Sequence, residues 1–227
     1  MNFGIGQPSD GMPGRRGWRR LGRWLRPTTP WITLLGVDGT GKSTVLQALN
    51  QALPLLPYAG LYVLHRRPRL IYRASATPTP GQIEHYGKPV HGALLSSFKL
   101  WAMWLDWLVG YFWHIRGRQA EGILVIADRH SFLDILADPQ RYRYGGSVWL
   151  ARWLIYLLPM PSTVLLLDAP VPVLQARKPE LSPEKSAVLR EAYLRLVEPM
   201  PNHYVIDASQ PLTQVVAAVV EALRDEG

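Results

Sequence analysis

The sequence predicts an α/β domain, a five-stranded parallel sheet flanked by helices on both faces. Three observations predict it. Five short apolar runs begin near residues 31, 61, 123, 163 and 203. Segments with a helical three-to-four residue period separate several of them. The first run leads directly into a glycine-rich stretch that opens a helix. Strands alternating with helices require crossover connections, and these make the sheet parallel and cover both of its faces.

The first strand is Trp31-Ile32-Thr33-Leu34-Leu35. It runs into Gly36-Val37-Asp38-Gly39-Thr40-Gly41-Lys42-Ser43-Thr44, which fits the spacing G-x-x-x-x-G-K-[ST]. Glycines let the backbone curl until successive N–H groups converge on an anion. Lys42 then supplies a charge to the β- and γ-phosphates of a nucleoside triphosphate, and Ser43 a hydroxyl to Mg²⁺. The helix that follows adds the positive end of its dipole. Val45, Leu46, Leu49 and Leu53 mark its inner face, and Pro54 stops it. The strand–loop–helix context identifies a P-loop, so the expected architecture is the P-loop NTP hydrolase fold, with ATP and Mg²⁺ as cofactors.

The second strand, 61–64, ends in His65-Arg66-Arg67-Pro68-Arg69, a basic cluster at the strand edge where open parallel sheets bind ligands. Residues 74–92 hold three prolines and three glycines and read as a loop of about twenty residues, long enough to expect a functional or mobile role. Residues 94–115 are apolar and aromatic, with Trp101, Trp104, Trp107 and Trp113. Lys99, Asp106 and His114 interrupt the run, leaving it short of the roughly twenty apolar residues a membrane span needs. A long buried helix is expected instead, with Lys99 and Asp106 on one polar stripe facing a pocket; the alternative is a helix that associates with a membrane.

The third strand, 123–127, closes with Asp128-Arg129-His130, and residues 138–146 form a basic, aromatic loop containing Arg141 and Arg143. Residues 148–158 have helical spacing. The fourth strand, 163–168, precedes a helix opened by Pro170. Ser182-Pro183-Glu184 starts the next helix with a capping serine, and its expected apolar face is Val188, Leu189, Ala192, Tyr193 and Leu196. After the fifth strand, 203–207, a last helix turns Val215, Val216, Val219, Val220 and Leu223 inward. No internal repeat is apparent.

Residues 1–29 stand apart from the domain, which occupies 30–227. The first fourteen are rich in Gly, Pro, Ser and Asn and are expected to be disordered. Residues 15–26 interleave six arginines with Trp18, Leu21, Trp24 and Leu25, a basic amphipathic spacing. This segment reads equally as a peripheral membrane or nucleic-acid contact and as a solvated extension whose aromatics pack on the domain. The formal charge of +8 favours anionic partners. There are no cysteines among the 227 residues, so disulfides and zinc–thiolate sites are excluded. No secretory signal is visible, and the expected place is the cytoplasm or the inner face of its membrane. No helix–turn–helix or other nucleic-acid reader stands out, and specific nucleic-acid binding is not expected.

Phosphoryl transfer needs a cradle, a metal, charge neutralisation and a positioned acceptor. Asp128 is placed to hold the metal with Ser43, or else it caps a turn. Arg129 is placed to hold an acceptor phosphate with its fork, or else it makes an ordinary ion pair. Arg177 and Lys178, ahead of a capped helix, suit a lid that closes over the transferred group; the alternative is a solvated basic turn. Asp38 lies beside the γ-phosphate and can orient the acceptor.

Together, the phosphate loop with its Asp38, Asp128-Arg129-His130, Leu167-Asp168 and Arg177 before a capped helix resemble the thymidylate kinase family of nucleoside monophosphate kinases. The resemblance runs from about residue 31 to the C-terminus and is sharp at these motifs. It implies ATP-dependent conversion of dTMP to dTDP, with Asp38 positioning the acceptor and Arg129 binding its phosphate. Arg177 or Lys178 would belong to the lid. Arg66, Lys99, Asp106, Arg141 and Arg143 complete the candidate acceptor side, and a homodimer is compatible with this reading.

The departures fall on that same side. The family's Arg-Glu-Pro becomes Arg66-Arg67-Pro68, and its Asp-Arg pair in the middle helix becomes Asp106-Trp107. Divergent proteins of this kind also resemble some encoded among bacterial polysaccharide-assembly genes. The alternatives are therefore a P-loop kinase acting on a sugar or glycan-lipid precursor, and a non-catalytic nucleotide-binding module.

Overall fold

The computed structural model describes residues 29–65 and 89–224. The expectations for Arg66, Arg67, the segment 15–26 and most of the loop 74–92 lie outside the described residues.

Five strands form one all-parallel sheet in the order β2-β3-β1-β4-β5. They are β1 (Trp31–Leu35), β2 (Gly60–His65), β3 (Ile123–Asp128), β4 (Thr163–Asp168) and β5 (His203–Asp207). All of β1 and nearly all of β3 and β4 are buried. Successive side chains of a strand point to opposite faces, so burial without alternation means that both faces are covered. The apolar runs of the sequence carry that signature.

Eight α-helices are described: α1 (Lys42–Ala52), α2 (Ala93–Gly110), α3 (Arg116–Ala120), α4 (Ser131–Ala137), α5 (Val148–Tyr156), α6 (Val171–Arg177), α7 (Pro183–Val197) and α8 (Leu212–Arg224). One group pairs α1 with α8, and the other joins α2, α4, α5, α6 and α7. Pro54 sits in a 3₁₀ turn, Leu53–Leu55, directly after α1. Ser182 caps α7 by accepting from the Lys185 amide at 3.3 Å. α8 buries Val215, Val219, Val220 and Leu223 at helical spacing.

Two expectations are corrected. Val188 is exposed; α7 packs through Leu189, Tyr193 and Val197, a straight i, i+4, i+8 row. The segment after residue 93 is not a buried helix. It continues through a π-helical turn, Tyr111–Ile115, into α3, and its outer face leaves large apolar side chains in solvent. Its inner face buries Leu100, Met103, Asp106 and Trp107. Among the described residues no helix is long and apolar enough to cross a membrane.

Candidate phosphate-transfer site

The carboxyl ends of β1 and β3 lie side by side, with Leu34 paired to Asp128 and, on the other flank of β1, Leu35 paired to Leu166. This juxtaposition brings residues 36–44 against residues 128–130. Gly36, Gly39 and Gly41 have φ of +144°, +95° and +86°. At Gly36 a Cβ would stand 2.5 Å from the Leu167 carbonyl oxygen, so close approach as well as backbone conformation requires glycine.

Lys42 folds back into the loop and donates to the carbonyl oxygens of Gly36 at 2.7 Å and Val37 at 2.9 Å. Burial, reinforced by the charge of Arg129 and opposed by Asp38, pushes its pKa down to about 7. Thr40 closes the turn by donating to the Val37 carbonyl at 2.9 Å. Ser43 and Thr44 are exposed in the first turn of α1.

Asp38 projects from the loop between two guanidinium groups. Arg129 donates through Nη2 to Oδ1 at 2.5 Å, and Arg141 donates through Nη2 to Oδ2. Burial would raise the Asp38 pKa, but Arg129, Arg141 and Lys42 outweigh it and hold the carboxyl well below the usual carboxylate range. Each arginine is also braced from behind. Asp134 Oδ2 lies 3.7 Å from Arg129 Nη1, and Asp138 Oδ2 lies 3.4 Å from Arg141 Nε.

Arg129 adopts a φ of +83°, uncommon for a side-chain-bearing residue and a site of stored strain. Burial would lower its pKa, but Asp134, Tyr193 and Asp38 together raise it. Asp134, wholly buried on α4, also accepts from the hydroxyls of Tyr193 at 2.8 Å and Tyr142 at 3.2 Å. The neighbouring His130 accepts from the Leu133 amide at the start of α4 and stacks on Trp107 with ring centroids 4.2 Å apart. Burial pushes the pKa of this imidazole down to about 4, with Asp134 opposing.

Of the residues singled out from the sequence, Lys42, Asp38, Arg129 and Arg141 meet in one cluster. Asp128 ends β3 beside them. Arg177 turns away and donates to the Ala208 carbonyl at 2.7 Å. Lys178 pairs with Glu180 at 2.9 Å, while its Cβ lies 3.5 Å from where a Cβ on Gly39 would sit. Asp168 is held by both ends of the Arg190 fork at 2.7 Å. Lys99 and Arg143 form a separate group at the amino end of α2: Lys99 Nζ is 2.6 Å from His91 Nε2, and Arg143 donates to the Pro89 carbonyl at 2.9 Å. Asp106 is fully buried in α2, and its neighbour Trp107 donates to Ser131 Oγ at 2.6 Å as part of the core.

Four participants were missed by sequence reasoning. Asp134, Tyr142 and Tyr193 support Arg129, and Lys185, in the first turn of α7, donates to Gln140 at 2.8 Å beside Arg141. Only Lys185 carried a signal, as a cation in the first turn of the capped helix that follows Arg177 and Lys178.

No group of three or more His, Cys, Asp or Glu side chains suited to a metal occurs among the described residues. A divalent ion held by Ser43 and Asp128 would therefore complete its shell with phosphate oxygens and water, the habit of Mg²⁺. The chain matches no family model and no curated protein.

Proposed function

We propose that the protein transfers the γ-phosphoryl group of ATP to a small acceptor that already carries a phosphate, a nucleoside monophosphate with dTMP foremost. The observation that carries this reading is Asp38, a phosphate-loop residue held between Arg129 and Arg141. Two planar forks converge within a few residues of the donor cradle, and such forks match phosphate oxygens. Asp38 takes one N–H of each fork, an acceptor phosphate takes others beside it, and both arginines stay braced by Asp134 and Asp138.

An acceptor phosphate oxygen is ionised at neutral pH and attacks without a general base. A carboxylate held as strongly acidic as Asp38 is a poor base, which suits an orienting role better than proton abstraction. The residues present fit the donor. Gly36, Gly39 and Gly41 shape a backbone cradle, Lys42 lies within it, and the α1 N-terminus faces it. When bound at Ser43 and Asp128, Mg²⁺ neutralises charge on the phosphates.

ADP release from purified protein, ATP and Mg²⁺, assayed with nucleoside monophosphates and then with sugar phosphates, tests the reading against Lys42→Ala. Turnover that never exceeds the Lys42→Ala level with any acceptor sinks it and leaves the non-catalytic nucleotide-binding module.

A sugar or glycan-lipid phosphate acceptor is favoured by one observation. Trp107, which stands where the thymidylate kinase pattern has the arginine of its Asp-Arg pair, is core packing against His130 and Ser131. Turnover with sugar phosphates alone would select that reading.

A further inference from the structure

Helices α2 and α5 lie side by side, joined where Trp104 Nε1 donates to the Leu154 carbonyl at 3.1 Å. Their outer faces carry a broad apolar and aromatic surface. On α2 the exposed side chains Leu94, Phe98, Trp101 and Leu105 fall at i, i+4, i+7 and i+11, a straight stripe that Phe112 extends. On α5 they are Val148, Trp149, Trp153 and Tyr156, with Leu157 just beyond its end; Trp149 is 71 % and Tyr156 79 % exposed. An apolar area of this extent needs a partner.

Charge identifies the partner. From residue 89 to 120 and from 143 to 162 the sole carboxylate is Asp106, which is fully buried. The same segments carry Lys99, Arg143, Arg116 and the exposed Arg152. A second copy laid on this face would oppose cations with cations and offer no carboxylate in return. Aromatic side chains among cations without anions match the boundary of a bilayer, where indole and phenol rings sit at headgroup level and cations meet anionic lipid.

The chain enters the domain at the far end of the α2–α3 column, where Thr29 donates to the Gln119 carbonyl at the end of α3. We infer that the outer face of α2 and α5 is a docking surface for an anionic lipid bilayer, resting on it without spanning it. This inference is independent of the phosphoryl-transfer reading.

Flotation of the full chain with phosphatidylcholine vesicles, and with vesicles containing one quarter phosphatidylglycerol, tests it. Binding is expected to the anionic vesicles, and the triple variant Trp149→Ala, Trp153→Ala, Tyr156→Ala should lose it by on the order of tenfold. Trp149 and Tyr156 are largely solvent-exposed and Trp153 is about half so, and the thermal transition should survive; if it does not, Tyr156→Ala alone carries the test with a smaller loss. Full retention of vesicle binding by a folded variant would overturn the proposal, as would no binding by the parent chain. A parent dimer in light scattering that the triple variant converts to monomer, with vesicle binding unchanged, would assign the face to a second copy.

Discussion

Arg129 Nη2 donates to Asp38 Oδ1 at 2.5 Å, joining residues 91 positions apart in the chain. The parallel pairing of β1 with β3 makes the contact, because both residues follow carboxyl ends of adjacent strands. It couples the loop that would cradle the donor to the cation that would hold the acceptor. Arg129→Lys keeps the charge and loses the fork. With the acceptor that gives turnover, KM for that acceptor should rise about 10- to 100-fold, the loss of one charge-assisted hydrogen bond or two. KM for ATP should change little. Titration of each substrate separates the two, and an effect confined to ATP would contradict the assignment.

Lys42 predicts a pH effect whose sign is unusual. Its folded pKa is lowered from 10.5 to about 7, so the unfolded chain binds more protons between those values. The folded state therefore bears the full cost of the buried ammonium below pH 7, and that cost fades as pH rises toward 10.5. Lys42→Met removes the cost. The variant should be more stable than the parent at pH 6, with the advantage vanishing toward pH 10, as read from urea midpoints. A triphosphate restores the charged form, so at pH 8 ATP binding should take up a proton, visible by calorimetry in buffers of different ionisation enthalpy. Proton-neutral binding would contradict it.

Asp134 supports Arg129 from behind and is the shared acceptor of Tyr142 and Tyr193. Asp134→Ala leaves two phenol hydroxyls and a buried guanidinium without their carboxylate. Removing one partner of a buried ion pair costs about 3–5 kcal/mol, a large part of a domain's stability. Asp134→Asn keeps one oxygen to accept from one phenol and turns an amide N–H toward the other hydroxyl, which can accept it, so it should cost less than Ala while weakening acceptor use through Arg129. Urea denaturation of the two variants checks the order.

The sheet was legible because each buried strand is a continuous apolar run, and the turn at 36–41 because glycines at that spacing admit its positive φ values. The supports of Arg129 were not legible. Helix α4 is buried on almost every side, so Ser131, Phe132, Leu133, Asp134 and Ile135 show no amphipathic period. Asp134 meets Tyr193 from 59 positions away, a contact made by packing α4 against α7. The outer stripe of α2 was misjudged for a related reason. Apolar periodicity on both sides of a helix does not say which side meets the core, and Phe98 and Trp101 read like Leu100 and Met103 until α5 is placed. Arg177 and Lys185 are both cations near one turn, and only helix phase sends Lys185 to Gln140 beside Arg141 and Arg177 to Ala208.

The glycines of the phosphate loop should rank by surroundings as well as by conformation. At Gly41 a Cβ meets nothing within 4 Å, so Gly41→Ala carries only the strain of φ +86°, about 1–2 kcal/mol. At Gly36 the same methyl would sit 2.5 Å from the Leu167 carbonyl oxygen, and backbone of β4 must shift to admit it. Gly36→Ala should therefore cost about 3 kcal/mol or more and move β4 with it. Urea denaturation gives the two costs, and amide exchange on β4 distinguishes them: protection at Leu166 and Leu167 should fall in Gly36→Ala and persist in Gly41→Ala. Equal costs at the two positions would mean that the close approach of Gly36 to Leu167 contributes nothing to the loop's shape.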